Sequence, residues 1–279
     1  MIELVWRSTL SELETAQVRE LLASDEAGLD LPSGGEHLLA VQDGVVGYAH
    51  VDTAGDQWGN EVAELVVHPG YRRQGIGERL FAAVTERARP LRIWSHRDHP
   101  GAARLAEKHG LRRVRELHRM GMDFGAEEFA EPVLPDGVRL RAFVPGQDED
   151  AMVAVNARAF SWHPEQGGLT ADEVRNTERE AWFDPAGFFL AVDGQDRILG
   201  FHWTKTHPDS TGEVYVVGVD PDAQGGGLGR ALTVAGLRHL RGLGLPRVIL
   251  YVESDNAAAI AVYRKLGFGL LDAGVQYAR

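Results

Sequence analysis

Glu213-Val214 begins an apolar run that ends at Val219-Asp220-Pro221 and leads into Gln224-Gly225-Gly226-Gly227-Leu228-Gly229. The same order stands earlier in the chain: Glu61-Val62, then Val67-His68-Pro69, then Arg72-Arg73-Gln74-Gly75-Ile76-Gly77. Each copy reads as a strand, a proline and a glycine-bearing loop that opens a helix. Glycines at the first turn of a helix let the backbone come close to a ligand, and the unpaired N–H groups there carry the positive end of the helix dipole. A pyrophosphate can rest on such a loop without a lysine.

The likeness extends outward from the loops. Glu61 and Glu213 are 152 residues apart, as are Gly75 and Gly227, while Val46-Gly47-Tyr48 precedes Leu199-Gly200-Phe201 by 153. Asp98-His99 and Gly110-Leu111 precede Asp255-Asn256 and Gly267-Phe268 by 157, the extra residues falling in the connection from Arg241 to Pro246. Repetition over this range makes the chain two copies of one domain. The 279 residues suit that division, each half being long enough to bury a core of its own. Glu131-Pro132-Val133-Leu134-Pro135-Asp136-Gly137 reads as an extended linker, so the expected domains are 1–137 and 138–279.

Within the first half a strand near Ile2 to Arg7 precedes a helix from Ser11 to Leu22, whose Ser11-Glu12-Leu13-Glu14 start is a capping box. Strands follow near 37–42, 45–51 and 61–67, then a helix from Ile76, a strand near 91–94, a short helix and a last strand. The second half repeats the order, with a further capping box at Thr170-Ala171-Asp172-Glu173. The expected fold is α/β of mixed α+β character: in each domain a mixed, largely antiparallel sheet flanked by helices on both faces.

Composition narrows the function. Asp and Glu number 41 against 29 Lys and Arg, a net charge of −12, and no basic stripe with interleaved aromatics occurs, so no nucleic-acid partner is expected. No apolar run approaches the roughly 18 residues a membrane helix needs, and no signal-peptide pattern opens the chain, which points to no membrane and to the cytosol. Zero cysteines remove disulfides, thiolate metal sites and a cysteine nucleophile. His96 and His99 stand apart from other ligands, so no metal is expected. A chain that already carries both copies has less need of a partner, and a monomer is expected.

The Val-x-Pro spacing before the glycine loop, followed by Asn256 to Tyr263 and Gly267-Phe268, resembles the acetyl-CoA-binding core of the GCN5-related N-acetyltransferases. The resemblance runs over essentially the whole chain. It sharpens at His163-Pro164-Glu165-Gln166-Gly167-Gly168, Glu180-Ala181-Trp182-Phe183-Asp184-Pro185, Gly200-Phe201-His202-Trp203-Thr204-Lys205, Gly212-Glu213-Val214-Tyr215-Val216 and Leu250-Tyr251-Val252-Glu253-Ser254-Asp255-Asn256. These blocks are similar to a tandem branch of the family that acetylates the cysteinyl amine of a glucosaminyl-inositol pseudo-disaccharide. Two other readings stand beside it: a tandem acetyltransferase for another small amine or a protein N-terminus, and a non-catalytic acetyl-CoA sensor.

The resemblance implies acetyl-CoA as donor and assigns residues to it. In the first copy these are Leu65, Val66, Val67, Arg72, Arg73, Gln74, Gly75, Ile76 and Gly77. In the second they are Val217, Gly218 and Val219, the loop Gln224, Gly225, Gly226, Gly227, Leu228, Gly229 and Arg230, and the helix start Asn256, Ala257, Ala258, Ala259, Ile260 and Ala261. It gives Glu213 the part of proton acceptor for the substrate ammonium, directly or through a water. The alternative is a plain cross-strand glutamate, since Glu61 stands at the matching place in the first copy. Tyr263 is the implied proton donor to the departing thiolate, and the residue 157 before it is Ala106. Lys205 and Asn256 likewise give way to Asp52 and His99. The first copy is therefore expected to keep the phosphate cradle without the catalytic set. Residues matching pseudo-disaccharide contacts are Glu36, Glu165, Lys205, Glu213 and Tyr251, Glu36 resting on the short match Glu36-His37-Leu38-Leu39. Gly225 and Gly226 depart from the arginines common in relatives, which is expected to loosen that loop.

Overall fold

The computed structural model describes residues 2–24, 31–32, 34–56, 58–87, 90–126, 128–163 and 166–279. Contacts divide the chain into two units, Met1–Leu117 with Asp272–Arg279, and His118–Leu271. The division differs from the one expected at residue 137. Strand pairing decides it: the last strand, Gly269–Ala278, sets Val275 beside Ser95, Gln276 beside Trp94 and Tyr277 beside Ile93, which ties the chain's end to the first unit.

In the first unit β1 (Glu3–Arg7), β2 (Glu36–Val41), β3 (Val45–Asp52) and β4 (Glu61–Val67) pair antiparallel in chain order, and β5 (Leu91–Ser95) runs parallel to β4. Helix α1 (Glu12–Ser24) starts where the sequence predicts, the Ser11 hydroxyl accepting from Glu14 N at 3.3 Å while Glu14 accepts from Ser11 N at 2.9 Å. Its Val18, Leu21 and Leu22 cover one sheet face through Leu39, Tyr48 and Val66. Helix α2 (Ile76–Arg87) covers the other, with Ile76, Leu80 and Val84 against Ala63, Leu65 and Val67. Helix α3 (Pro100–Lys108) begins at His99, whose Nδ1 accepts from Gly101 N at 3.0 Å.

The second unit takes in the end of β6 (Arg112–Asp123) and orders its strands β7 (Arg139–Ala142), β8 (Phe188–Val192), β9 (Ile198–Thr206), β10 (Thr211–Val219), β11 (Arg247–Glu253), then β6. β7 to β10 pair antiparallel, and β11 runs parallel to β10. Helices α4 (Glu149–Ala159) and α5 (Ala171–Thr177) pack one face, where Met152, Val155 and Val174 meet Phe188, Phe201 and Trp203. The Thr170–Glu173 capping box is present at α5. Helix α6 (Leu228–Gly242) packs the other face through Leu237 and Leu240, with α7 (Ala257–Lys265) joining through Ile260. On that side His202 is fully buried and its Nδ1–H donates to Leu232 O at 2.7 Å. A side chain at Gly236 would collide with this ring. Burial pushes the imidazole down to about 4, so it is neutral in the folded chain.

One backbone feature separates the copies. β4 pairs with β3 without interruption, but β10 slips by one residue against β9: Val214 faces Thr204 while Val216 faces Trp203, leaving Tyr215 as the extra residue of a bulge. Because side chains alternate across a strand, the slip turns everything before it to the opposite face. Glu61 shares the α2 face with Ala63, Leu65 and Val67, whereas Glu213, at the same sequence offset, lies on the face opposite α6. Pairing makes Asp52 the counterpart of Lys205, and opposite them stand Val62 and Glu213. In three dimensions the first copy has valine where the second has its carboxylate.

Candidate active site

β10 and β11 separate as they run. Their pairing runs from Thr211–Arg247 to Val214–Leu250, and on that edge β10 continues to Val219 alone, so its backbone groups there face an opening rather than a neighbouring strand. Into the opening lead the end of β10, the glycine loop with the start of α6, and one side of α7. They line a cleft of about 730 Å³ that includes Val217, Gly218, Val219, Gln224, Gly225, Gly227, Leu228, Gly229, Arg230, Thr233, Asn256, Ala258, Ala259 and Tyr263. Phe160 and Trp162 from the end of α4 line it too. The size lies within the range of about 300–1,000 Å³ usual for small-ligand sites.

The loop suits an anion. Gly225 and Gly227 have φ of +94° and +80°, and a side chain added at either meets open space, so both are shaped by backbone conformation and leave room above the first turn of α6. Arg230 in that first turn supplies positive charge to the cleft. In the first unit Arg73 occupies the left-handed region at φ +66°, at a cost of about 1–2 kcal/mol. Glycine at 225 thus relieves strain as well as loosening the loop. Both loops are tied back alike: Gln224 Nε2 donates to Val219 O at 3.2 Å, and Arg72 Nε to Val67 O at 3.0 Å. Asp220 and His68 cap the turns before them.

Tyr263 lines the cleft from α7, its ring 5.8 Å from that of Phe268, and burial pushes its hydroxyl up to about 12. Ala106 holds the matching place on α3, buried against Val275 and Tyr277. Asn256, like His99, is spent on its helix start: its side-chain oxygen accepts from Ala259 N at 3.1 Å.

Glu213 is not among the cleft-lining residues. It sits four residues before Val217 on the same strand, 6 % exposed, and its Oε2 lies 2.6 Å from His207 Nε2. Lys205 stands across the ladder from it, with its ammonium 5.0 Å from the centre of the Trp182 ring and 5.4 Å from that of Tyr215. Trp182, Trp203 and Tyr215 form one aromatic cluster, the Trp182 and Tyr215 rings meeting edge to face at 5.2 Å. Burial first, and then the Glu213 charge, raise the Tyr215 phenol. Tyr251, half exposed, shares this sheet face through its place two residues after Ile249, the partner of Glu213.

Of the expected substrate residues, Lys205, Glu213 and Tyr251 therefore come together on one face. Glu36 belongs to the first unit, where its carboxylate pairs with Arg87 through both oxygens. Glu165 lies outside the described residues. His207 was not among the expected residues, although its position two after Lys205 puts it on the same side of the strand end. Among the described residues no group of three or more potential metal ligands occurs, and no helix is long and apolar enough to cross a membrane.

Comparison with known proteins agrees with this geometry. Residues 155–268 match the Acetyltransferase (GNAT) family and residues 33–112 an Acetyltransferase (GNAT) domain. The mycothiol acetyltransferase of Saccharomonospora viridis is 59% identical over 88% of this chain and 85% of its own length. That of Actinosynnema mirum is 55% identical over the whole of both chains. Among solved structures, a tandem GNAT protein from the clavulanic acid biosynthesis pathway superposes with a TM-score of 0.77 at 21% identity, covering 100% of this chain and 98% of that one. A GCN5-related N-acetyltransferase from Sphaerobacter thermophilus gives 0.76 at 23% identity, covering 99% and 95%. At those identities the likeness is one of fold.

Proposed function

Because the chain belongs to the GCN5-related N-acetyltransferases and, within them, to the mycothiol acetyltransferases, we propose that it moves the acetyl group of acetyl-CoA to the cysteinyl amine of the desacetyl precursor of mycothiol. That precursor is a cysteinyl-glucosaminyl-inositol, and the products are mycothiol and CoA. The observation that carries the reading is the pairing, in one unit, of an anion-suited glycine loop and a protonated tyrosine in the cleft with a buried carboxylate upstream on the same strand.

In this reading α6 and its loop hold the pyrophosphate, and the open edge of β10 near Val217 and Val219 donates N–H groups to the pantetheine arm and the thioester oxygen. Glu213 takes a proton from the substrate ammonium, the neutral amine attacks the carbonyl, and the carbon–sulfur bond breaks as the sulfur acquires a proton from Tyr263. Lys205, Tyr251 and Glu165 recognise hydroxyls of the sugar and inositol. The first unit, with Val62 and Ala106 at the counterpart positions, binds acetyl-CoA as a structural or regulatory ligand. A small-molecule enzyme of this kind fits a cytosolic monomer.

A thiol-release assay with the desacetyl precursor and a panel of unrelated amines tests the assignment. The precursor should be the preferred acceptor, and turnover confined to the other amines removes it. Glu213→Gln should lower kcat roughly 100-fold or more while leaving acetyl-CoA affinity nearly unchanged. An unaltered rate and pH profile takes Glu213 out of the mechanism.

A further inference from the structure

A carboxylate that must accept a proton works only if one oxygen is aimed at the donor, and because the last torsion of a glutamate is broad, the buried Glu213 needs a partner to set it. We propose that His207 is the positioning residue of this acceptor: its Nε2–H holds Oε2 of Glu213, leaving Oε1 presented to the substrate ammonium. The inference rests on the reading of Glu213 as proton acceptor.

The Nε2–Oε2 separation is 2.6 Å, well within hydrogen-bond distance. The backbone that carries the imidazole is itself held. His207 closes the β9–β10 turn, donating its N–H to Thr211 O at 2.8 Å and accepting from Ser210 N at 3.0 Å. Thr211 N and Oγ1 both donate to Asp209 at 3.0 Å, and Ser210 takes a left-handed φ of +64°. This compact turn fixes the backbone from which the ring extends before any substrate arrives. Lys205 does not compete, since its ammonium rests over Trp182 and Tyr215.

The first unit offers an internal comparison. Asp52, the counterpart of Lys205, is followed by Thr53-Ala54, and Val62 stands where Glu213 would be. At the matching positions, Ala54 and Val62, histidine and carboxylate are absent together.

The Nε2–H is a donor in the neutral ring of that tautomer and in the cationic ring alike, so the contact does not depend on the ring's charge. The other ionisable groups around the pair are Lys205, Asp209, Tyr215 and Tyr251. Asp209 is held below the usual carboxylate range, by the Thr211 N–H first and by His207 in smaller measure. Tyr215 is raised, so it stays neutral at neutral pH.

The test compares His207→Ala, His207→Gln and Glu213→Gln with acetyl-CoA and the desacetyl precursor across pH. His207→Ala should lower kcat about 10- to 100-fold with KM for acetyl-CoA within about twofold. His207→Gln, whose amide N–H can reach the same oxygen, should recover kcat to within about fivefold of wild type. Wild-type kcat and pH profile in His207→Ala overturns the proposal, as does equal impairment of the alanine and glutamine variants. A fully active Glu213→Gln overturns the acceptor reading beneath it. An inactive Glu213→Gln beside an unaffected His207→Ala overturns the positioning role alone.

Discussion

At the scale of single residues, Tyr263 turns on how firmly a phenol keeps its proton. Its folded pKa, pushed up to about 12 by burial, is above the ordinary value near 10, so the protonated form persists further into alkaline pH than it would on an exposed tyrosine. A thiol ordinarily titrates near 8.5, so handing a proton to a fully formed thiolate would be uphill. As the proposed proton donor, Tyr263 would act best while charge is still building on the sulfur. Tyr263→Phe keeps the ring beside Phe268 and removes only the hydroxyl; it should lower kcat roughly 100-fold with acetyl-CoA KM little changed. Wild-type activity should show no loss assignable to Tyr263 below about pH 10. A loss centred at or below that value, absent from Tyr263→Phe, contradicts the raised phenol. Much at this scale is legible in the sequence, because caps and glycine turns are local: Ser11, Thr170, Asn256 and Gly227 each act within four residues of themselves. His207 is different, since its partner is chosen by the tight turn that brings Thr211 back to it.

At the scale of elements, one inserted residue decides which face of the sheet carries a carboxylate. Tyr215 bulges, and Glu213 lies opposite α6 beside His207; without a bulge, Glu61 lies on the α2 face. Repeat spacing alone equates these two glutamates. The spacing misleads because it counts residues, whereas a bulge is a property of pairing, and the turns joining the two hairpins differ in length as well. The exchange of terminal strands between the units escaped the sequence for the same reason, being set by pairs such as Val275 with Ser95 that lie far apart in the chain. Inserting one alanine between Glu213 and Val214 should set that alanine opposite Lys205 and turn Glu213 toward α6. Activity should then fall at least about 100-fold, the range expected for losing a general base, while Tyr215→Ala, which keeps the bulge, should retain more than about a tenth. Circular dichroism would show whether the insertion variant folds, and acetyl-CoA binding whether the cleft survives. A folded, fully active insertion variant would show that the strand face does not set the acceptor.

Across the whole molecule the duplication supplies matched positions at which to perturb one copy and use the other as control. Gly75 and Gly227 share a φ of +80°, each sits at the start of its helix, and an added side chain meets nothing within 4 Å at either. Gly→Ala at both sites thus carries a similar backbone cost, about 1–2 kcal/mol, and any difference between the variants reports on function rather than stability. Only the second unit joins the cradle to Glu213 and Tyr263; the first has Val62 and Ala106. Gly227→Ala should raise KM for acetyl-CoA about tenfold or more, since a methyl group there intrudes on the phosphate cradle, whereas Gly75→Ala should leave kcat and KM within about twofold. Calorimetry adds a second readout: if both cradles bind, wild type takes up two acetyl-CoA molecules and each variant weakens one of them. Equal loss of turnover in the two variants would mean that catalysis is not confined to the second unit, because the same small change at a non-catalytic cradle has no route to the rate through the chemistry of Glu213 and Tyr263.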